Sequence, residues 1–462
     1  MQLKHTILLA SMASCFAGTA FAQEIPTTVT WTLDGAVQAV VQRDSYWGLA
    51  QQFAPTAGFG SSYNWLETYV KPGVRFERQL DRTLNLYGAA SVVASGTLGQ
   101  DLFLQGDTGR VLLEDAYVGV KGGTPGEWTY DVSVGAQPYS LGSGFLLGSG
   151  SGNGFERGAA ITAPRSAWQM SAVAKAGVGA WRGEAFYLDA NELKSGDSKT
   201  KLVGAQLVWS PDAKNSVGLA HIKVTSSESP YPQAPVTIIE NGRDGLKTTN
   251  LHWRYEPTSG ALAGFSMTGE LATQSHSKLD MSAKGMGLEF AYRFASHPWM
   301  PRLSYSARYY SGDDPATPRL ERFDPLFYES YPDTWSSGGN GSFAFYNSNL
   351  VVHRIRVDLV LSPQDFANVS YWNVRAAETF SPIQYGQAAR LGVVNNSLGI
   401  VSGVPTKALS QELYFEYTRV LNPKLFLTAG LALAFAQDGI KKITPNGTSA
   451  WSGGLLMLTY KY

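Results

Sequence analysis

A chain of 462 residues with 37 basic and 37 acidic side chains has a formal net charge of zero, so it lacks the basic stripe that nucleic-acid binding requires. Its single cysteine, Cys15, falls in the N-terminal leader, which leaves the rest without disulfides or thiolate metal sites. Glycine is abundant at 49 residues, charge is sparse at 16%, and no linker or low-complexity run divides the chain, so one large architecture is expected rather than two or three soluble domains.

Lys4 and His5 make a short basic region, Thr6 to Phe16 is mostly apolar or small, and Ala20-Phe21-Ala22 fits a small-x-small cleavage pattern. Residues 1–22 therefore read as a signal peptide and 23–462 as a single barrel domain beginning at Gln23. Lipidation at Cys15 is the weaker alternative, because the better cleavage site lies downstream. The leader's apolar core is too short to cross a bilayer as a helix, which takes about 20 residues, and no later stretch is apolar enough.

Beyond the leader the dominant signal has period two, the mark of a two-faced strand. Trp168–Lys175 and Trp181–Leu188 read as neighbouring strands, with Gly158–Ala163 left in the loop before them. In Thr248–Glu256, Thr249, Leu251, Trp253 and Tyr255 oppose Asn250, His252, Arg254 and Glu256. In Lys284–Phe294, Met286, Leu288, Phe290 and Tyr292 oppose Gly287, Glu289 and Arg293. In Val351–Leu361, Ile355, Val357 and Leu359 oppose Arg354, Arg356 and Asp358. Leu413, Phe415 and Tyr417 oppose Tyr414 and Glu416, and Leu425, Leu427, Leu431 and Leu433 oppose Phe426, Thr428, Gly430 and Ala432.

The connections alternate too. Short turns at Asp81-Arg82, Ser210-Pro211-Asp212, Pro257–Gly260, Ser296-His297-Pro298, Ser362–Asp365 and Asn422-Pro423 separate longer polar segments at about 44–64, 98–109, 138–166, 189–199, 226–244, 275–282, 312–348, 377–407 and 438–450. That short–long rhythm predicts an all-β fold: an antiparallel transmembrane barrel of roughly 18 strands, with short periplasmic turns and long extracellular loops. Trp128, Tyr130, Trp209, Tyr255, Tyr292, Tyr417 and Tyr460 lie on apolar faces near the short turns or the C-terminus, as an aromatic girdle would. The last strand carries Leu456, Leu458, Tyr460 and Tyr462 on one face, the kind of terminal strand that barrel-insertion machinery reads.

If the apolar faces meet lipid, the opposite faces line a lumen. They carry Arg75, Glu77, Asp131, Arg182, Glu184, Arg254, Glu270, Glu289, Arg293, Arg302, Arg308, Arg354, Arg356, Asp358, Glu412 and Glu416. Such groups are costly in a dry core and cheap in a wet pore, where they pair across strands. Arg302, Arg308, Arg354 and Arg356 flank one loop and should be neighbours; they either attract carboxylates bidentately or pair with Asp358 and nearby acids. Two loops are candidates for constriction or gating. The glycine-rich run Leu141–Gly154 includes Gly142, Phe145 and Gly150; it lacks the ending of a phosphate loop and either folds inward or stays flexible outside. The other, about 312–348, includes Asp313, Asp314, Phe323, Asp324 and Phe327, and its length points to function. Asp313 and Asp314 suit turn formation better than cation binding. No cofactor or metal is expected.

The stretch Arg308-Tyr309-Tyr310-Ser311-Gly312-Asp313-Asp314, followed by Phe323-Asp324-Pro325-Leu326-Phe327, resembles the alginate export family of outer-membrane proteins. Leu113-Glu114-Asp115-Ala116-Tyr117-Val118-Gly119-Val120 and Val134-Gly135-Ala136-Gln137 are similar to the same family's early strands. The resemblance implies an 18-stranded barrel in the bacterial outer membrane, passing an anionic uronate polymer through an arginine-rich pore, with Arg308, Arg354 and Arg356 contacting carboxylates. The abundance of lumenal acids departs from that pattern. The expected function is a channel for an anionic saccharide or uronate polymer, with a general or small-organic-acid porin as the alternative. Expected partners are the outer-membrane bilayer with its lipopolysaccharide, the insertion machinery and periplasmic export components. No Ser or His context marks a nucleophile, so no enzyme is expected.

Overall fold

The computed structural model describes residues 27–53, 56–234, 237–329, 341–383, 389–394 and 397–462; the predicted signal peptide and the start at Gln23 lie outside the described residues. Eighteen strands form one sheet: β1 (Thr27–Arg43), β2 (Ser62–Gln79), β3 (Leu84–Gln100), β4 (Gly106–Gly123), β5 (Trp128–Ala136), β6 (Met170–Val178), β7 (Trp181–Asp189), β8 (Lys201–Trp209), β9 (Ser216–Ser226), β10 (Leu246–Tyr255), β11 (Phe265–His276), β12 (Ala283–Arg293), β13 (Arg302–Tyr310), β14 (Leu350–Val360), β15 (Asp365–Ala376), β16 (Ala408–Asn422), β17 (Leu425–Ala436) and β18 (Ala450–Lys461). Each strand pairs antiparallel with the next, and β18 pairs with β1 from Asp34↔Lys461 to Arg43↔Ser452. Closure leaves no edge, so every ladder hydrogen bond is met within the wall, as a lipid environment demands.

The short turns are fixed by local side-chain acceptors. The Asp81 carboxylate takes the backbone N–H groups of Thr83 and Leu84 at 2.7 and 2.8 Å, and Asp212 takes those of Lys214 and Asn215 at 2.7 and 2.9 Å. These Asx contacts replace the ladder where the chain reverses. The expected faces hold: Leu251, Phe290, Ile355, Leu413, Phe415, Leu431 and Leu433 are exposed on the outside, while Asn250, Glu289, Arg354 and Glu412 are buried inside. A register shift between Ala90 and Val92 moves their β4 partners from Ala116 to Leu113. The irregularity turns two successive carboxylates, Glu114 and Asp115, to the inner side.

The long-loop half of the interior is filled. Trp47, Leu141, Phe145, Leu146, Leu147, Trp168, Phe323, Phe345, Ile440 and Trp451 belong to one buried apolar cluster built from several loops. Residues 158–163 stay in the loop between β5 and β6. The segment expected at 98–109 is tighter, with only 101–105 between β3 and β4, because Asp101 caps the N–H groups of Phe103 and Gln105 at 2.8 and 2.9 Å. Two small hairpins within loops, Tyr231–Gln233 with Thr237–Ile239 and Ala389–Val394 with Ser397–Ser402, were not foreseen.

Candidate functional site

The glycine-rich loop folds inward. Ser143 donates its N–H and hydroxyl to Glu270 at 2.8 and 2.5 Å, and Asn250 donates to the other oxygen of Glu270 at 3.0 Å. Glu270 sits near the middle of β11, so the loop tip reaches about half-way down the wall. Gly142 has φ +58°, and a Cβ there would lie 2.6 Å from the Glu270 carboxylate. Only glycine combines that backbone with that approach.

Other wall acids hold the rest of the same loop. Glu67 accepts the N–H groups of Ile161 and Thr162, both at 2.9 Å. Glu114 accepts those of Ser166 and Ala167 at 2.7 and 2.8 Å and pairs with Arg165 at 3.3 Å. The Tyr139 hydroxyl reaches Glu184 at 3.4 Å. A loop inside a barrel carries backbone donors that must be satisfied, and carboxylates make strong charge-assisted bonds to them. Glu67, Glu114 and Glu270 are therefore committed to anchoring this loop.

The loop between β13 and β14 rests on it. Leu147 and Phe327 form a parallel bridge, with Gly148 N–H donating to the Phe327 carbonyl at 2.8 Å and Phe327 N–H to that of Leu146 at 2.9 Å. Phe145 stacks on Tyr310 with centroids 5.6 Å apart and meets Phe323 at 5.9 Å. Phe327 meets Trp168 at 5.1 Å, and a Cβ on Gly150 would strike the Trp168 ring at 2.4 Å. Asp324 takes Arg243 and the Tyr231 hydroxyl, each at 2.7 Å. Burial would raise the Asp324 pKa, but the Arg243 guanidinium outweighs it and holds the carboxyl below its ordinary value. Asp313 accepts the N–H groups of Glu321 and Arg322 at 2.6 and 2.7 Å, and Asp314 that of Ala316 at 2.9 Å. Both are turn formers, and the described residues contain no group of three or more potential metal ligands.

The four arginines expected to be neighbours, Arg302, Arg308, Arg354 and Arg356, lie on the paired strands β13 and β14. Arg354 and Arg302 share Glu289, at 2.6 and 2.5 Å. Arg356 pairs with Asp358 at 2.6 Å, and Arg302 approaches the same acid at 3.6 Å. Arg308 and Arg354 lie over the Trp372 ring at 5.4 and 5.1 Å. Glu412 is buried opposite Trp372 in register, and Glu416 accepts from Asn368 at 3.1 Å and Tyr414 at 2.8 Å.

Below the loop tip lies a cavity of 1210 Å³ that runs from Gly142 and Ser143 to Lys214 and Thr258 at the short turns. Its lining contains six cations, Lys175, Arg182, Lys214, Arg254, Arg293 and Arg302, against three acids, Glu184, Glu256 and Glu270. Glu256 serves both Lys214 and Arg254, at 2.7 and 2.9 Å, and Arg182 pairs with Glu184 at 3.0 Å. Arg293 stands opposite Arg302 in register, and neither it nor Lys175 makes an ion pair among the described residues. The vestibule is thus cationic. Of its lining, Gly142, Arg182, Glu184, Arg254, Glu270, Arg293 and Arg302 were anticipated; Lys175 and Lys214 were missed, although Lys175 has the inward phase of β6 beside buried Ser171 and Val173. The anchors Glu67, Glu114, Tyr231 and Arg243 were missed as well. Arg243 and Asp324 are 81 positions apart, and no local pattern links them.

The alginate export family model matches residues 64–371. No curated protein matches. Among solved structures, Acinetobacter baumannii OccAB2 is similar with a TM-score of 0.54 and 10% identity, over 94% of this chain and 98% of that one. Pseudomonas aeruginosa OpdL gives 0.53 and 9%, over 94% and 98%, and Pseudomonas aeruginosa OccK5 (OpdH) gives 0.52 and 11%, over 93% and 97%. At these identities the likeness is one of fold. A closed 18-stranded sheet with an apolar exterior, a charged interior and a family match across most of the wall makes this an outer-membrane channel, and the chain belongs to the alginate export family.

Proposed function

We propose that this channel passes a carboxylate-bearing saccharide, with uronate units as the natural class. The observation that carries this reading is the excess of cations in the vestibule, with Arg293 and Lys175 outside any ion pair among the described residues. Arg254, Arg293 and Arg302 offer the first contacts for carboxylates. Arg308, Arg354, Arg356 and Asp358, with Glu289, Glu412 and Glu416, form the adjoining wall, with Asp358 opposite Arg302 in register. Arginine suits carboxylates because its planar fork donates two parallel hydrogen bonds. The family match supports the saccharide side of this reading.

A second reading, a small-organic-acid porin, is favoured by the inward loop and the apolar cluster that fill the long-loop half of the barrel. Single-channel recordings separate the two. Saccharide transport predicts that uronate oligomers added to the short-turn side interrupt the current at concentrations where monomeric organic acids do not. Current unaffected by oligomers but carried by small carboxylates would reject the saccharide reading.

A further inference from the structure

The outer surface carries lysines at one level near the long-loop ends of four strands: Lys201 in β8, Lys223 in β9, Lys247 in β10 and Lys284 in β12. All have the outward phase. Their neighbours Leu202, Ile222, Thr248 and Ala283 are buried, while Val203, Leu219, Leu251 and Phe290 on their own faces are exposed. On three of these strands an aromatic residue marks the opposite edge of the apolar band, eight positions away: Trp209 from Lys201, Tyr255 from Lys247 and Tyr292 from Lys284. A strand rising about 3.4 Å per residue and tilted about 40° climbs roughly 21 Å over that interval, close to the ~25 Å height of a barrel's apolar band. The ammonium groups therefore stand at the outer rim of the hydrocarbon, where the headgroups of the outer leaflet lie.

Lys223 and Lys247 are direct register partners. Like charges so placed repel and weaken the pairing. Among the described residues, neither they nor Lys284 has a carboxylate in ion-pair contact, because nearby acids are engaged elsewhere. Asp189 pairs with Lys201 at 3.6 Å, Glu228 with Lys199 at 2.7 Å and Asp244 with Lys278 at 2.5 Å. Hydroxyls fill the gap on β11: Thr273 is opposite Lys284, and Ser275 is opposite Lys247. Beneath the patch, exposed Leu219, Leu251 and Leu271 offer an apolar bed.

We infer that this patch is a binding site for a phosphorylated glycolipid of the outer leaflet, with phosphates held by Lys223, Lys247 and Lys284 and acyl chains laid on the leucines below. Two anionic phosphates relieve the lysine–lysine repulsion, and the hydroxyls of Thr273 and Ser275 add donors. The test is native mass spectrometry of the full barrel in detergent, titrated with bis-phosphorylated lipid A, dephosphorylated lipid A and inorganic phosphate. Replacing Lys223, Lys247 and Lys284 together with Gln should weaken lipid A binding by about tenfold or more. The triple Lys→Arg variant should retain binding, and so should Arg43→Gln, an outward cation on the far side of the barrel. Retained heat-modifiable migration on gels verifies that each variant is folded. Equal binding of lipid A by the wild type and the Gln variant would overturn the site, showing that the lysines only reach for water. Equal binding of phosphorylated and dephosphorylated lipid, or phosphate binding without preference for the lipid, would overturn it as well.

Discussion

Gly142 and Glu270 form the contact on which the lumen's shape depends. Gly142→Val combines a left-handed backbone with a Cβ 2.6 Å from the carboxylate, so the loop tip must withdraw. The expected outcome is a folded barrel with higher and noisier single-channel conductance; conductance equal to wild type would show that the tip does not narrow the lumen. Asp324 makes the corresponding contact in the second loop. Replacing it with Asn leaves the buried Arg243 without its counter-charge, a change that costs about 3–5 kcal/mol in comparable buried pairs. Faster proteolysis between β13 and β14 is the expected readout, with the barrel intact. Because the Asp324 pKa lies below its ordinary 3.8 in the folded protein, its stabilisation is fully present above that value. It is lost only as pH falls further, through the depressed pKa. Proteolytic protection of this loop should therefore persist at pH 5 and fail only in strong acid; loss already at mild acidity would contradict the pairing.

The strands were legible because one physical demand, lipid on one side and water on the other, is written at every second position. Val351–Leu361 shows this: Ile355 and Arg354 differ by one position and by the whole thickness of the wall. Leu431→Arg, on the exposed outer face of β17, should destabilise the folded barrel by about 2–4 kcal/mol in denaturant titration from lipid vesicles. Thr268→Lys, which faces the cavity, should cost far less; equal costs would mean the two faces are misassigned. The loops were legible only in part. The glycine run left two placements open, inward or flexible outside; in the structure Gly142 and Gly150 approach Glu270 and Trp168 too closely for a Cβ. Whether that run lay inside or outside depended on Glu270, 127 positions from Ser143 in sequence and on a different part of the wall. The abundance of lumenal acids also has a physical reason that no strand-by-strand reading supplies: Glu270 caps loop backbone at Ser143, and Glu289 and Asp358 pair with Arg302, Arg354 and Arg356 in the wall.

Closure, loop infolding and charge separation act together in the complete barrel. The wall satisfies its own backbone, the wall acids satisfy the loop, and the cations left in the vestibule supply the field that a permeant meets. That field focuses anions because the surrounding wall is of low dielectric. It weakens with salt, since the screening length falls to about 10 Å at 0.1 M. The reversal potential of the purified channel in a planar bilayer, under a salt gradient at low ionic strength, reads this field directly. Anion preference is predicted, reduced toward neutrality when Lys175 and Arg293 are both replaced by Gln; cation preference in the wild type, or a preference unmoved by the two replacements, would contradict it.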